Sequence, residues 1–264
     1  MDKLVYFDNA ATTPMCDEVI QRMAEVMKST FGNASSSHSY GRTSKSLIEI
    51  SRKTIASFLN CSASEIVFTS GGTEADNLVL RSAVRDLGVE EIITTRIEHH
   101  AILHTAEALQ KEYEIKVSFV DLGSAGEVDL DHLENLLQSE HKKMVSLMHI
   151  NNEIGNKLDL DGVAHICKTN NALFHSDTVQ SIGHYDIDLQ VTPIDFLVAS
   201  AHKFHGPKGV GFVFIRKNSG LKASILGGEQ ERGYRAGTEA IHNIVGMEEA
   251  LKMAYGNLKD ESSY

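Results

Sequence analysis

No excess of basic residues exists in this chain: 25 Lys and Arg stand against 36 Asp and Glu, a formal charge of -11 over 264 residues. That balance disfavours non-specific binding to nucleic acid or to an anionic membrane, because there is no surplus charge to neutralise phosphates. Tryptophan is absent, and cysteine occurs three times, at Cys16, Cys61 and Cys167, with no Cys-x-x-Cys pair. Odd and scattered thiols argue against a disulfide framework or a zinc site and favour a reducing cytoplasm. No apolar run approaches a membrane span, and the start, Met1 to Asp8, has no apolar core of the signal-peptide kind. A soluble intracellular protein is expected, with neither internal repeats nor low-complexity tracts.

What is present is an alternation of short apolar runs with helical patterns. Strands are expected at Ile66–Thr69, Glu91–Thr95, Lys116–Asp121, Met144–His149, Ala172–His175, Ile194–Ala199 and Val210–Ile215. Ala75, Leu78, Val79, Ser82 and Ala83 share one helical face, as do Leu130, Leu133, Leu136 and Leu137 after an Asp129 cap. Two earlier helices are expected over Asp17–Thr30 and about Thr43–Asn60, and a last one runs towards Tyr264 with no further strand to pack on. Repeated strand–helix–strand order predicts an α/β fold, a mostly parallel sheet flanked by helices.

Ligands of open parallel sheets sit beyond the carboxyl ends of the strands, and several segments there carry chemistry. Ser70-Gly71-Gly72-Thr73 opens a helix, where close backbone approach and free N–H groups suit a phosphate or carboxylate. Alone it also reads as an ordinary turn, and it is neither a P-loop nor a dinucleotide fingerprint. Glu98-His99-His100 offers an imidazole face for a flat ring, against a surface histidine pair or a His100/His104 metal pair that no nearby acid or cysteine completes. The amides of Asn151 and Asn152 can donate to an anion or support a turn. Asp177, at a strand end, needs a partner if buried, and a protonated pyridine nitrogen would serve; the bland alternative is a helix cap. Lys203, after an apolar strand and between His202 and His205, is placed for a depressed pKa and Schiff-base chemistry, while Ser200 and His202 suit a phosphate.

Seven segments in order carry a resemblance: Asp8-Asn9-Ala10-Ala11-Thr12-Thr13-Pro14, Phe31-Gly32-Asn33, Thr69 to Glu74, Glu98-His99, Asn151-Asn152-Glu153-Ile154-Gly155, Ser200-Ala201-His202-Lys203 and Arg235-Ala236-Gly237-Thr238. From about Tyr6 onward the chain resembles the cysteine desulfurases of the NifS/IscS type, within the class V aminotransferase group. The resemblance implies the large domain of a fold type I transferase dependent on pyridoxal 5'-phosphate (PLP). Lys203 would carry the cofactor and shuttle the α-proton, Asp177 would pair with the pyridine nitrogen and His99 would stack on the ring. Asn152 and Gln180 would lie near the ring hydroxyl, while Gly72, Thr73, Ser200 and His202 would hold the phosphate. Thr238 would reach the phosphate of a neighbouring subunit, which implies a homodimer.

The implied reaction converts L-cysteine to L-alanine, passing sulfur through a protein thiol to an iron–sulfur scaffold or another acceptor. Residues 1–14 read as an N-terminal segment, 15–250 as the PLP-binding domain and 251–264 as the start of a linker helix towards a small domain. The family's nucleophilic cysteine and carboxylate-gripping arginine belong to that small domain, and neither loop occurs before Tyr264. A shortened chain is therefore expected, one that binds PLP better than it desulfurates cysteine. None of the three cysteines falls in the nucleophile motif, and buried structural thiols are expected. Departures from the family pattern are Ala34, Leu226, His100 and the Ser176 and Thr178 neighbours of the acid. The alternatives are a catalytically silent PLP-binding relative, or a class V enzyme with another reaction, since the ring chemistry is shared.

Overall fold

The computed structural model describes residues 5–261. Residues 1–4 and 262–264, parts of the expected N-terminal segment and linker helix, lie outside the described residues. Strands occur at all seven expected places: β1 (Ile66–Thr69), β2 (Glu91–Thr94), β3 (Lys116–Phe119), β4 (Lys143–Ser146), β5 (Leu173–Asp177), β6 (Phe196–Ser200) and β7 (Gly211–Ile215). They form one sheet in the order β1-β7-β6-β5-β4-β2-β3. Only β7 runs against its neighbours, pairing antiparallel with β1 and β6 while the other pairs are parallel.

The central strands are apolar on both faces because both are covered. Phe196 and Val198 of β6 join the core under α3 (Gly72–Leu87) and α4 (His100–Tyr113). Leu197 and Ala199 point into the opposite core, shared with α1 (Asp17–Ser29), α2 (Ser39–Phe58), α5 (Leu130–Leu137), α6 (Leu160–Thr169) and α7 (Ile241–Glu261). Among the described residues no helix is long and apolar enough to cross a membrane.

Three elements depart from the sequence reading. α2 starts four residues before the expected Thr43, because the His38 ring accepts from the Gly41 N–H at 3.3 Å and caps the helix there. α6 was not expected at all, although Asp159 caps it through the Gly162 N–H at 3.1 Å and Val163, Ala164, Ile166 and Cys167 form its buried stripe. The last helix needs no strand to pack on. α7 lies against α1 and α2, with Ile244, Met247 and Leu251 in their core.

Candidate functional site

The carboxyl ends of β4, β5 and β6 and the start of α3 enclose a cleft of about 380 Å³. Gly72 and Thr73 line it from the helix start, His99 from the turn before α4, and Asn152 from the loop after β4. Asp177 and Gln180 enter from the end of β5, and Ser200, His202 and Lys203 from the end of β6. Nine of the ten expected site residues therefore meet in one place. Thr238 does not; it lines a separate hollow beside Ser70, Gly209 and Arg235.

One end of the cleft is built for an anion. Gly71 has φ +152°, which a side chain rarely tolerates, and a Cβ on Gly72 would lie 2.7 Å from Val179 Cγ2. The backbone at the start of α3 is thus kept bare, where first-turn N–H groups attract phosphate. Beside it, Glu74 accepts from the Ser70 N–H at 2.9 Å and from Arg235 at 2.8 Å. Burial pushes the Glu74 carboxyl up, but the guanidinium and the amide outweigh it and leave it lowered.

The other end is acidic and dry. Asp177 is 5% exposed and accepts from the Val179 N–H at 2.9 Å. Burial, then the neighbouring Asp76 carboxyl, pushes the pKa of Asp177 up, against the pull of Val179 N–H, His175 and His99. Asp76, which the sequence reading missed, also lines the cleft. Donor atoms of Asp76, His99 and Asp177 lie within 4.8 Å of one another, close enough to converge on one positively charged atom. The His99 Nδ1 accepts from the Ala101 N–H at 3.1 Å, which fixes the ring while it caps α4. His100 and His104 stack at 4.9 Å on α4, and among the described residues no third donor converges on them.

Lys203 sits on a 3-10 turn after β6 and is half-buried. Its ammonium donates to the Ala10 and Ala11 carbonyls, the latter at 3.0 Å. Burial lowers its pKa, opposed by Asp177, Asp8 and Glu153. The N-terminal segment is tied down here: the Thr13 N–H donates to the His202 carbonyl at 2.9 Å, and His202 Nδ1 meets Thr12 Oγ1 at 3.1 Å. Gln180 donates to the Ala10 carbonyl at 2.9 Å and Asn152 to Glu153 at 2.7 Å, so both amides face the cleft already engaged.

No cysteine lines the cleft. Cys167 is buried as expected, whereas Cys16 and Cys61 are only half-buried, and burial raises all three thiols, Cys61 and Cys167 to about 12. Thiols held this far up carry little thiolate near neutral pH.

Behind the cleft, Glu98 is 7% exposed and accepts from the Met148 N–H at 3.0 Å, while its Oε2 has no partner. Burial drives it from 4.5 to about 8. Across that window the folded chain keeps a proton that the unfolded chain releases, so stability falls as pH rises. Glu98→Gln removes this slope. Urea unfolding of the unliganded proteins should show the variant gaining ~1 kcal/mol or more on the parent between about pH 5 and pH 8; parallel pH profiles would refute the assignment.

A profile of class-V aminotransferases matches residues 5–262. A cysteine desulfurase IscS of Clostridium botulinum (strain Kyoto) is 43% identical over 265 residues, covering 99% of this chain and 66% of that protein. One from Methanosarcina thermophila is 41% identical over 264 residues, with 99% and 65% covered. The chain thus spans just under two thirds of the length of these relatives. Among solved structures, a NifS-like protein superposes with a TM-score of 0.94 at 40% identity, over 98% of this chain and 71% of its own. SspA in complex with cysteine superposes with a TM-score of 0.90 at 32% identity, over 94% and 72%.

Proposed function

The chain belongs to the class-V aminotransferase family, and on that premise we propose that it is the cofactor-binding part of a cysteine desulfurase, with Lys203 carrying PLP. Class-V aminotransferases and the cysteine desulfurase relatives are PLP-dependent. The observation that carries the reading is one cleft lined by a bare helix start, a buried acid and a half-buried amine. Those features fit the group. A phosphate answers the Gly71-Gly72 cradle, and a protonated ring nitrogen answers Asp177, whose carboxylate is otherwise costly to bury.

Bound there, PLP supplies an electron-withdrawing ring that loosens the proton beside a substrate's amino group. The chain's own residues do the rest. Gly72, Thr73, Ser200 and His202 would hold the phosphate, and His99 would stack on the ring. Asp177 keeps the charge that holds the ring nitrogen. Lys203, already lowered by burial, moves the α-proton of L-cysteine at its Nζ. Asn152 and Gln180, now bonded to Glu153 and the Ala10 carbonyl, would lie near the ring hydroxyl, with Asn152 also available to the substrate. Thr238, outside this cleft, serves the phosphate of a second copy in a homodimer. The sulfur leaves to a thiol other than Cys16, Cys61 and Cys167, and from there to an iron–sulfur scaffold or similar acceptor in the cytoplasm. Residues 15–250 form the cofactor domain in this reading, with 251–264 leading towards a small domain.

The test is to load the purified chain with PLP, record its visible band, and assay sulfide and alanine from L-cysteine. The assay is run alone and with a supplied thiol-bearing C-terminal segment of a relative. A band in both cases and turnover raised by the segment are expected; the absence of a band overturns the cofactor assignment. A second reading is a silent PLP-binding relative, since the ring chemistry is shared. A persistent band with neither product, even with the segment present, would select it.

A further inference from the structure

Resting on the cofactor reading above, we propose that Asp76 is a positioning residue for the ring: a neutral carboxyl that donates to His175 and leaves Asp177 as the anion facing the ring nitrogen. Asp76 stands four residues after Gly72 in α3, so the helix that begins at the phosphate cradle also brings an acid to the far end of the cleft. It is 1% exposed, and its Oδ1 has no hydrogen-bond partner. Facing it, 3.5 Å away, is His175 Nε2, which is fully buried and equally without a partner. The other ring nitrogen of His175 meets Ser146 Oγ at 2.9 Å.

Two unpartnered buried atoms that face one another are satisfied together by one proton between them, after a shift of roughly a few tenths of an ångström. That proton belongs to the acid. Burial lowers the His175 imidazole to about 4 even beside Asp177. Burial drives the Asp76 carboxyl well up, and its Oδ1 has no hydrogen-bond partner to offset that. With His175 protonated at Nδ1 towards Ser146, its bare Nε2 accepts from Asp76.

The neighbouring charges decide which acid ionises. His175 and Asp177 face Asp76 from β5, and His99 and Glu98 stand at the turn before α4. Carboxyls this close do not ionise together in a dry site. Asp177 has the Val179 N–H at 2.9 Å to stabilise its anion, whereas the Asp76 Oδ1 has no hydrogen-bond partner. The asymmetry assigns the negative charge to Asp177. A carboxylate at position 76 would instead compete for the ring proton and pull the ring off Asp177.

Infrared difference spectra of the cofactor-loaded protein at neutral pH test this. Asp76→Asn is expected to remove one carbonyl band of a protonated carboxylic acid, and Glu98→Gln to remove a different one. Asp76→Ala, which offers His175 no donor, is expected to weaken cofactor affinity about 10-fold in a titration of the visible band. Asp76→Asn, which keeps a donor there, should recover most of that loss. A spectrum of Asp76→Asn with every protonated-acid band intact overturns the role, as does an affinity as poor as that of the alanine variant. If the parent protein itself retains no cofactor on Lys203, the cofactor reading fails first and this role falls with it.

Discussion

Lys203→Ala is expected to abolish borohydride-stable attachment of PLP to the chain and to lower any turnover about 10³-fold. Both effects follow from one atom. Lys203 carries the amine proposed to bond the cofactor aldehyde, and the same Nζ is proposed to handle the α-proton. Its place in the cleft is held by the Ala10 and Ala11 carbonyls. Because Gln180 also donates to the Ala10 carbonyl and Thr13 stays bonded to His202, the N-terminal segment should remain in place in the variant. Lys203→Arg is the sharper control. It can still donate to both carbonyls, but a guanidinium that stays protonated cannot bond the aldehyde. Reduction with borohydride followed by peptide mass analysis reads the result. A cofactor-bearing peptide of undiminished yield in either variant, for example at Lys208, sinks the assignment.

The largest effect on stability is expected far from that amine, at Arg52. Its guanidinium donates to both Glu231 carboxylate oxygens, at 2.6 and 2.8 Å, and to the Ile66 carbonyl at 2.8 Å. Glu231 also accepts from the Phe68 N–H at 2.8 Å, and Arg52 lies 4.4 Å from the Phe68 ring centre. Both ions are nearly sealed from water, with side chains 3% and 2% exposed. Burial works against the Arg52 charge, but the Glu231 carboxylate, with Glu49, more than restores it. Removing one partner leaves the other charge buried and unpaired, so Arg52→Ala should cost about 3–5 kcal/mol in urea unfolding.

The pair also clamps a strained loop. Glu231 and Arg232 hold φ of 48° and 56°, a left-handed conformation that non-glycine residues adopt at a cost. That loop carries Arg235 to Glu74 and places Thr238 in its own hollow. A double replacement by apolar residues of similar volume, Arg52→Met with Glu231→Leu, should regain much of the stability, because no unpaired charge is then buried. A loss below about 1 kcal/mol in Arg52→Ala would show that the pair does not hold the loop.

Much of the fold was legible because burial on both faces writes each central strand as an apolar run. Phe196 to Ala199 and Phe212 to Ile215 are unbroken in this way, and each falls inside a buried strand. The helices were legible where a stripe and a cap coincide, as at Asp129, whose side chain accepts from the His132 N–H at 2.9 Å. α6 shows the same two signals after Asp159 and was passed over. Its stripe is short and stands beside the Asn-rich loop, where turn chemistry dominates the reading.

The site divides the same way. That Gly72, Asp177, Ser200 and Lys203 stand at or just past strand ends follows from the chain alone, since chain order and the parallel rule place strand ends along one edge. Asp76 was invisible, because a lone acid in a helix normally reads as a solvated face, and only packing reveals it as buried. The hold of Ala10 and Ala11 on Lys203 spans more than 190 residues and runs through backbone carbonyls, which every residue possesses and no sequence pattern marks.

The order of elements, the parallel character of the sheet and the side chains at its carboxyl edge can be read along the chain, because periodicity and turn chemistry are local properties. Which groups lose their water is settled by the packing of the folded chain. Burial is a property of neighbours distant along the chain, and it is what lowers Lys203, raises Asp177 and Asp76 and seals Arg52 against Glu231.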